Sequence, residues 1–95
     1  MKEETLKFVK NKVNEIEAMI KQLPDTQTLL KKELIDKIIM EYYCKTILKG
    51  LSIEDIRRKS EELTTIVETL PNTDKIFKTE LIYQINEIYL IILKN

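Results

Sequence analysis

The sequence predicts an all-α protein: an antiparallel up-down four-helix bundle built from two repeated helical hairpins. Three observations lead there. Apolar residues recur at helical spacing along most of the chain. One Gly (Gly50) and two Pro (Pro24, Pro71) leave few of the tight turns that a sheet protein needs. A shift of 47 residues also aligns the two halves without a gap. Under that shift Leu23-Pro24-Asp25-Thr26 falls on Leu70-Pro71-Asn72-Thr73, and Lys31, Glu33, Leu34 and Ile35 fall on Lys78, Glu80, Leu81 and Ile82. Ile38 then meets Ile85, Tyr42 meets Tyr89, Lys12 meets Lys59 and Glu15 meets Glu62. The units span 6–48 and 53–95 of one domain, 1–95, a length that supports a single core.

The first helix is expected over 3–22. Leu6, Val9, Val13, Ile16, Ile20 and Leu23 follow at spacings of 3, 4, 3, 4 and 3, one stripe of a 3.6-residue helix. It stops at the Leu-Pro step, because Pro disfavours helical geometry in the residue before it. Asp25 or Thr26 is expected to cap the second helix, 27–49. That helix carries a doubled stripe, Leu29/Leu30, Leu34/Ile35, Ile38/Ile39, Tyr42/Tyr43 and Ile47/Leu48, suited to contact with two neighbours. Gly50 ends it, since Gly accepts the left-handed conformation a helix C-terminus often adopts.

Ser52, with Asp55 three residues on, resembles a capping box at the start of the third helix, 53–69. Its stripe is Ile53, Ile56, Ser60, Leu63, Val67 and Leu70. Asn72 or Thr73 is expected to cap the fourth helix, 74–94, whose stripe is Ile76/Phe77, Leu81/Ile82, Ile85, Ile88/Tyr89 and Ile92/Leu93. Two polar residues stand where the repeat has apolar ones: Ser60 for Val13 and Asn86 for Ile39. Asn86 is expected to face the interior and fix helix register, so that Asn86→Ile would stabilise by about 1 kcal/mol.

Composition excludes most chemistries. Without His the usual general base, metal ligand and triad partner are missing, so no catalytic, cofactor or metal residues are assigned, and no small-molecule substrate is expected. The lone Cys44 has no disulfide partner and no activating base; it reads as a structural thiol in a reducing, cytoplasmic setting. The single Gly rules out phosphate-cradling loops. Glu33 and Glu80 are equivalent in the repeat, yet a bundle di-metal site would add a Glu-x-x-His pair, and both carboxylates read as solvated helix charges.

Sixteen basic and sixteen acidic residues cancel. Arg57-Arg58-Lys59 and Lys31-Lys32 are flanked by acids in helical register, which speaks against nucleic acid as a partner. The segment Met1 to Lys12 mixes Lys and Glu with scattered apolar residues, unlike a signal peptide, and the longest apolar run, Ile88 to Leu93, is too short to span a bilayer. The Lys, Ile, Asn and Glu usage points to an AT-rich bacterial genome.

The C-terminal helix stands out because Ile88 to Leu93 is apolar on every side. A helix apolar all round is covered all round, or its outer face binds something. Tyr83, Leu90 and Ile91 are the candidate protein interface, with a homodimer, another protein or a membrane surface as its occupant. The expected function is therefore that of a small cytoplasmic, non-catalytic protein-interaction module: a binder, inhibitor or regulator. In size and four-helix plan the chain also loosely resembles the bacteriocin immunity proteins of Gram-positive bacteria. That resemblance implies a protein guarding a membrane receptor from the cytoplasmic side. It covers layout alone, and no motif transfers residue by residue. A nucleic-acid-binding regulator ranks third.

Overall fold

In the computed structural model, which describes residues 2–24, 27–50 and 52–94, the chain is all-helical with four helical rods. They are α1 (Glu3–Lys21), α2 (Thr28–Asp36) running on into a π-helical stretch, π1 (Lys37–Ile47), then α3 (Ile53–Glu68) and α4 (Lys75–Lys94). No strand occurs among the described residues. The rods pack in a ring, α4 touching α1 and α3 while α2 and π1 touch α1 and π1 touches α3, within an envelope of 39 × 18 × 17 Å.

The helix limits follow local chemistry. Gly50 sits at φ +69, as expected of a left-handed terminus. The Ser52 hydroxyl accepts the Asp55 N–H at 3.2 Å, so Ser52 caps α3 as expected, while the Asp55 carboxylate takes the Ser52 hydroxyl at 2.9 Å in place of the backbone N–H of a full capping box. At α4 the expectation needs correcting. The cap is Asp74, whose Oδ1 accepts the Ile76 N–H at 2.8 Å. Asn72 takes a left-handed turn at φ +49, and the Thr73 hydroxyl donates to the Pro71 carbonyl instead. Asp25 and Thr26 lie outside the described residues.

The core is one cluster: Val9, Val13, Ile16, Ile20 and Leu23 from the first segment, Leu34, Ile38, Tyr42 and Ile47 from the second. Ile56, Leu63, Val67 and Leu70 come from the third, and Leu81, Ile85, Ile88 and Ile92 from the fourth. Ser60 is buried at 2% exposure and is hydrogen-bonded to the hydroxyl of Tyr42 at 2.6 Å. The polar replacement in the α3 stripe is thus matched by a phenol reaching across from π1. Asn86, by contrast, is exposed, and the expectation that it faces the interior is wrong. Ile39, which the 47-residue shift aligns with it, is itself only half-buried, so the position lies on the flank of the core, where a polar side chain turns to water.

Past Ile38 the second rod winds wide. The Leu48 N–H bonds to the Tyr43 carbonyl and the Thr46 hydroxyl to the Glu41 carbonyl, each five residues back. Buried positions accordingly fall at Leu34, Ile38, Tyr42 and Thr46, every fourth residue, with Ile47 buried beside Thr46. In α4 they fall at Leu81, Ile85, Ile88 and Ile92, the 4-3-4 rhythm of a regular α-helix.

Candidate functional site

Two parts of the described surface stand out: the charged face of α3, where most charges pair, and the outer face of α4, which carries four large exposed apolar side chains. On α3, Arg57 is held between Glu54 and Glu61, and Arg58 pairs with Asp55 at 3.4 Å. Lys59 pairs with Glu62 at 3.5 Å on its own helix and with Glu41 of π1 at 3.3 Å. Of these, Glu41, Asp55, Arg58, Lys59 and Glu62 line a cleft of about 350 Å³ between π1 and α3, completed by Lys45 and Thr46. Partial burial pushes the Glu41 carboxyl up, but the hydrogen bond and charge of Lys59, with Lys37 beside it, outweigh this and hold it below its usual range. The exposed Glu54 carboxyl is held below its usual range chiefly by the hydrogen bond from Arg57. The cleft offers ion pairs and one hydroxyl bound to backbone, and no activated nucleophile.

The face of α4 pointing away from the core is different. Its buried stripe is nine-tenths or more enclosed, and Phe77, Ile82, Tyr89 and Ile91 pack half-buried on either side of it. Six further positions form a second line at spacings of 3, 4, 3, 4 and 3: Ile76, Thr79, Tyr83, Asn86, Leu90 and Leu93, all exposed. Four of these six are large and apolar, with Ile76 79%, Tyr83 61%, Leu90 49% and Leu93 51% exposed. Of the residues expected at an interface, Tyr83 and Leu90 therefore share one face two turns apart. Ile91 lies beside Ile88 on the flank of the core stripe and packs half-buried there. Ile76 and Leu93, assigned to the inner stripe by their apolar neighbours, belong to the outward line. The signal for them was the 3-4 rhythm carried through the polar Thr79 and Asn86.

No protein-family model, curated protein or solved structure matches this chain.

Around the outward line, charge is left open. Glu87 is engaged by Lys12 of α1 at 3.2 Å, and the same ammonium donates to Gln84 at 2.7 Å, tying α1 to α4. Lys75, Glu80 and Lys94 form no ion pair among the described residues, though Glu80 accepts a hydrogen bond from Gln84. A recess of about 290 Å³ opens between Lys75, Ile76, Thr79 and Glu80 at the start of the line. Among the described residues no helix is long and apolar enough to cross a membrane, and no group of three His, Cys, Asp or Glu side chains could hold a metal ion.

Proposed function

We propose that this chain is a small, non-catalytic protein-interaction module whose contact element is the outward face of α4. The observation that carries the proposal is the exposed line Ile76, Tyr83, Leu90 and Leu93 on a helix whose inner stripe already fills the core. Monomeric proteins tolerate single exposed apolar side chains, but several aligned on one helix face mark a binding surface.

The scaffold reading that goes with it is an antiparallel bundle made by duplicating a hairpin. Cross-rod pairs support the antiparallel course: Gln27 donates to the Pro71 carbonyl at one end, while Lys12–Glu87, Glu41–Lys59 and Tyr42–Ser60 join the middles. Helix limits support duplication, since Lys21 and Glu68, Thr28 and Lys75, and Ile47 and Lys94 are each 47 residues apart. A duplicated scaffold with one face changed is an economical route to a binder, because the fold survives while α4 alone acquires the contact.

Photo-cross-linking in the native host tests the function. A photo-reactive phenylalanine analogue at position 90 should give protein adducts, while the same analogue at position 61 on the charged face of α3 should give none. Equal labelling at both positions, or none at position 90, would sink the interaction-face reading.

A further inference from the structure

We propose that the outward face of α4 pairs, in parallel and in register, with the same face of a second copy of this chain. This rests on reading α4 as the interaction face, and it names the partner. The six outward positions repeat every seven residues, Ile76-Tyr83-Leu90 and Thr79-Asn86-Leu93, which is the pattern by which two helices mesh side chains along a shared seam. From Ile76 to Leu93 the seam is about 26 Å long at 1.5 Å per residue.

Charge selects the parallel arrangement. In a parallel pair, the residue flanking one edge of the seam meets the residue five positions later on the other helix. Lys75 of each copy then meets Glu80 of the other, twice by symmetry, and neither has an ion pair within its own chain among the described residues. An antiparallel pair would instead set Glu80 against Glu87 of the second copy, like charge against like.

Asn86 selects an identical partner. Its exposed side chain makes no hydrogen bond within the chain among the described residues, and it sits in the seam between the apolar Tyr83 and Leu90, with Thr79 the seam's other polar member. In register, the two Asn86 amides face each other, each offering a donor and an acceptor. A slip of one heptad along the axis would separate the two amides, setting one against Leu93 and the other against Thr79, so the amide facing Leu93 would be left unpaired at the cost that attends a buried, unsatisfied polar group. A symmetric contact also needs only one patch. A seam this short buries less than the roughly 800 Å² per partner of a standard interface, so the dimer should dissociate in the micromolar range.

Sedimentation equilibrium between about 5 and about 500 μM decides it. The wild type should pass from the mass of one chain to that of two, while Leu90→Glu, with unchanged helix content by circular dichroism, should stay monomeric. Lys75→Glu and Glu80→Lys should each weaken the dimer about threefold, and the double variant should recover it, because the reversed pair is again complementary. A wild type that remains monomeric at the highest concentration overturns the proposal, as does a dimer indifferent to Leu90→Glu or a double charge variant no tighter than the singles. If the wild type is monomeric but position 90 still cross-links to a foreign protein, the second copy is excluded and the interaction module stands. If position 90 captures nothing either, both readings fall together.

Discussion

The second rod and α4 start from closely matched sequences and are wound differently. Both span twenty residues, 28–47 and 75–94, and both bury their first two core positions in step, Leu34 with Leu81 and Ile38 with Ile85. They then diverge. Where α4 buries Ile88 and Ile92, the repeat places Glu41 and Lys45 in the second rod. Burying two charges costs far more than rewinding a helix. The backbone widens instead, and Tyr42 and Thr46, each one residue later, turn inward. Tyr42 is longer and more polar than an Ile, and across the core Ser60, 47 residues after Val13, offers its phenol a hydroxyl at 2.6 Å. The wide winding and the serine are two parts of one accommodation, which shows that the apolar pattern overrides helix geometry when the two conflict.

The largest expected effect separates these rods by deleting one residue from each. Without Met40, the buried positions of the second rod would fall into the 4-3-4 rhythm of α4, so the rod should rewind as a regular helix and lose less than about 2 kcal/mol. Deleting its repeat counterpart Glu87 turns Ile88 and Ile92 about 100° off the core. Losing two buried Ile contacts at roughly 2–5 kcal/mol each approaches the whole stability of a small domain, so that variant should be unfolded. Urea titrations of both deletions make the comparison, and equal tolerance would mean that the wide winding does not depend on the extra residue.

Next in size is an alkaline transition specific to the first unit. Burial pushes the Tyr42 hydroxyl up to about 12, partly offset by its hydrogen bond to Ser60. The unfolded chain releases that proton near pH 10, so the full stability is present below about pH 10 and is lost as pH climbs toward about 12. About 2–3 kcal/mol should disappear over that window. Tyr42→Phe should lack this component in urea titrations at pH 8 and pH 11; an identical loss in both proteins would assign the transition to other groups.

The smallest effect sharpens the Tyr42–Ser60 pairing itself. Ser60→Ala strands a buried phenol and Tyr42→Phe strands a buried serine hydroxyl, each expected to cost about 1–3 kcal/mol. The double variant should cost less than the sum by about 1 kcal/mol, since neither group is then left alone. Additive losses would show that the 2.6 Å contact carries no coupling.

Helix limits were legible because local chemistry sets them: Leu-Pro steps, Gly50 and the Ser52 cap act within a few residues of themselves. The apolar stripes of α1 and α3 were legible for the same reason, a strict 3-4 rhythm with no competing neighbour. The wide winding was not, because Tyr42 and Tyr43 are equally apolar in sequence and only packing against Ser60 decides which one enters the core. The same ambiguity of adjacent apolar residues hid the outward line of α4, where Ile76, Ile91 and Leu93 were sorted by hydrophobicity when their angle around the helix governs. The exposure of Asn86 was not legible either, because alignment with Ile39 says nothing of depth when Ile39 is itself a flank position.

The tyrosines make this protein its own optical instrument. With no Trp, its near-ultraviolet absorption and emission come chiefly from four phenols at graded depth: Tyr42 fully enclosed, Tyr43 and Tyr89 half-buried, Tyr83 mostly in solvent. A dissolved quencher such as iodide can reach Tyr83 while the fold is intact and can reach Tyr42 only when the core opens. Any partner seated on α4 would shield the first phenol without disturbing the second, so occupancy of the outer face and integrity of the interior can be read as separate signals from one unlabelled sample.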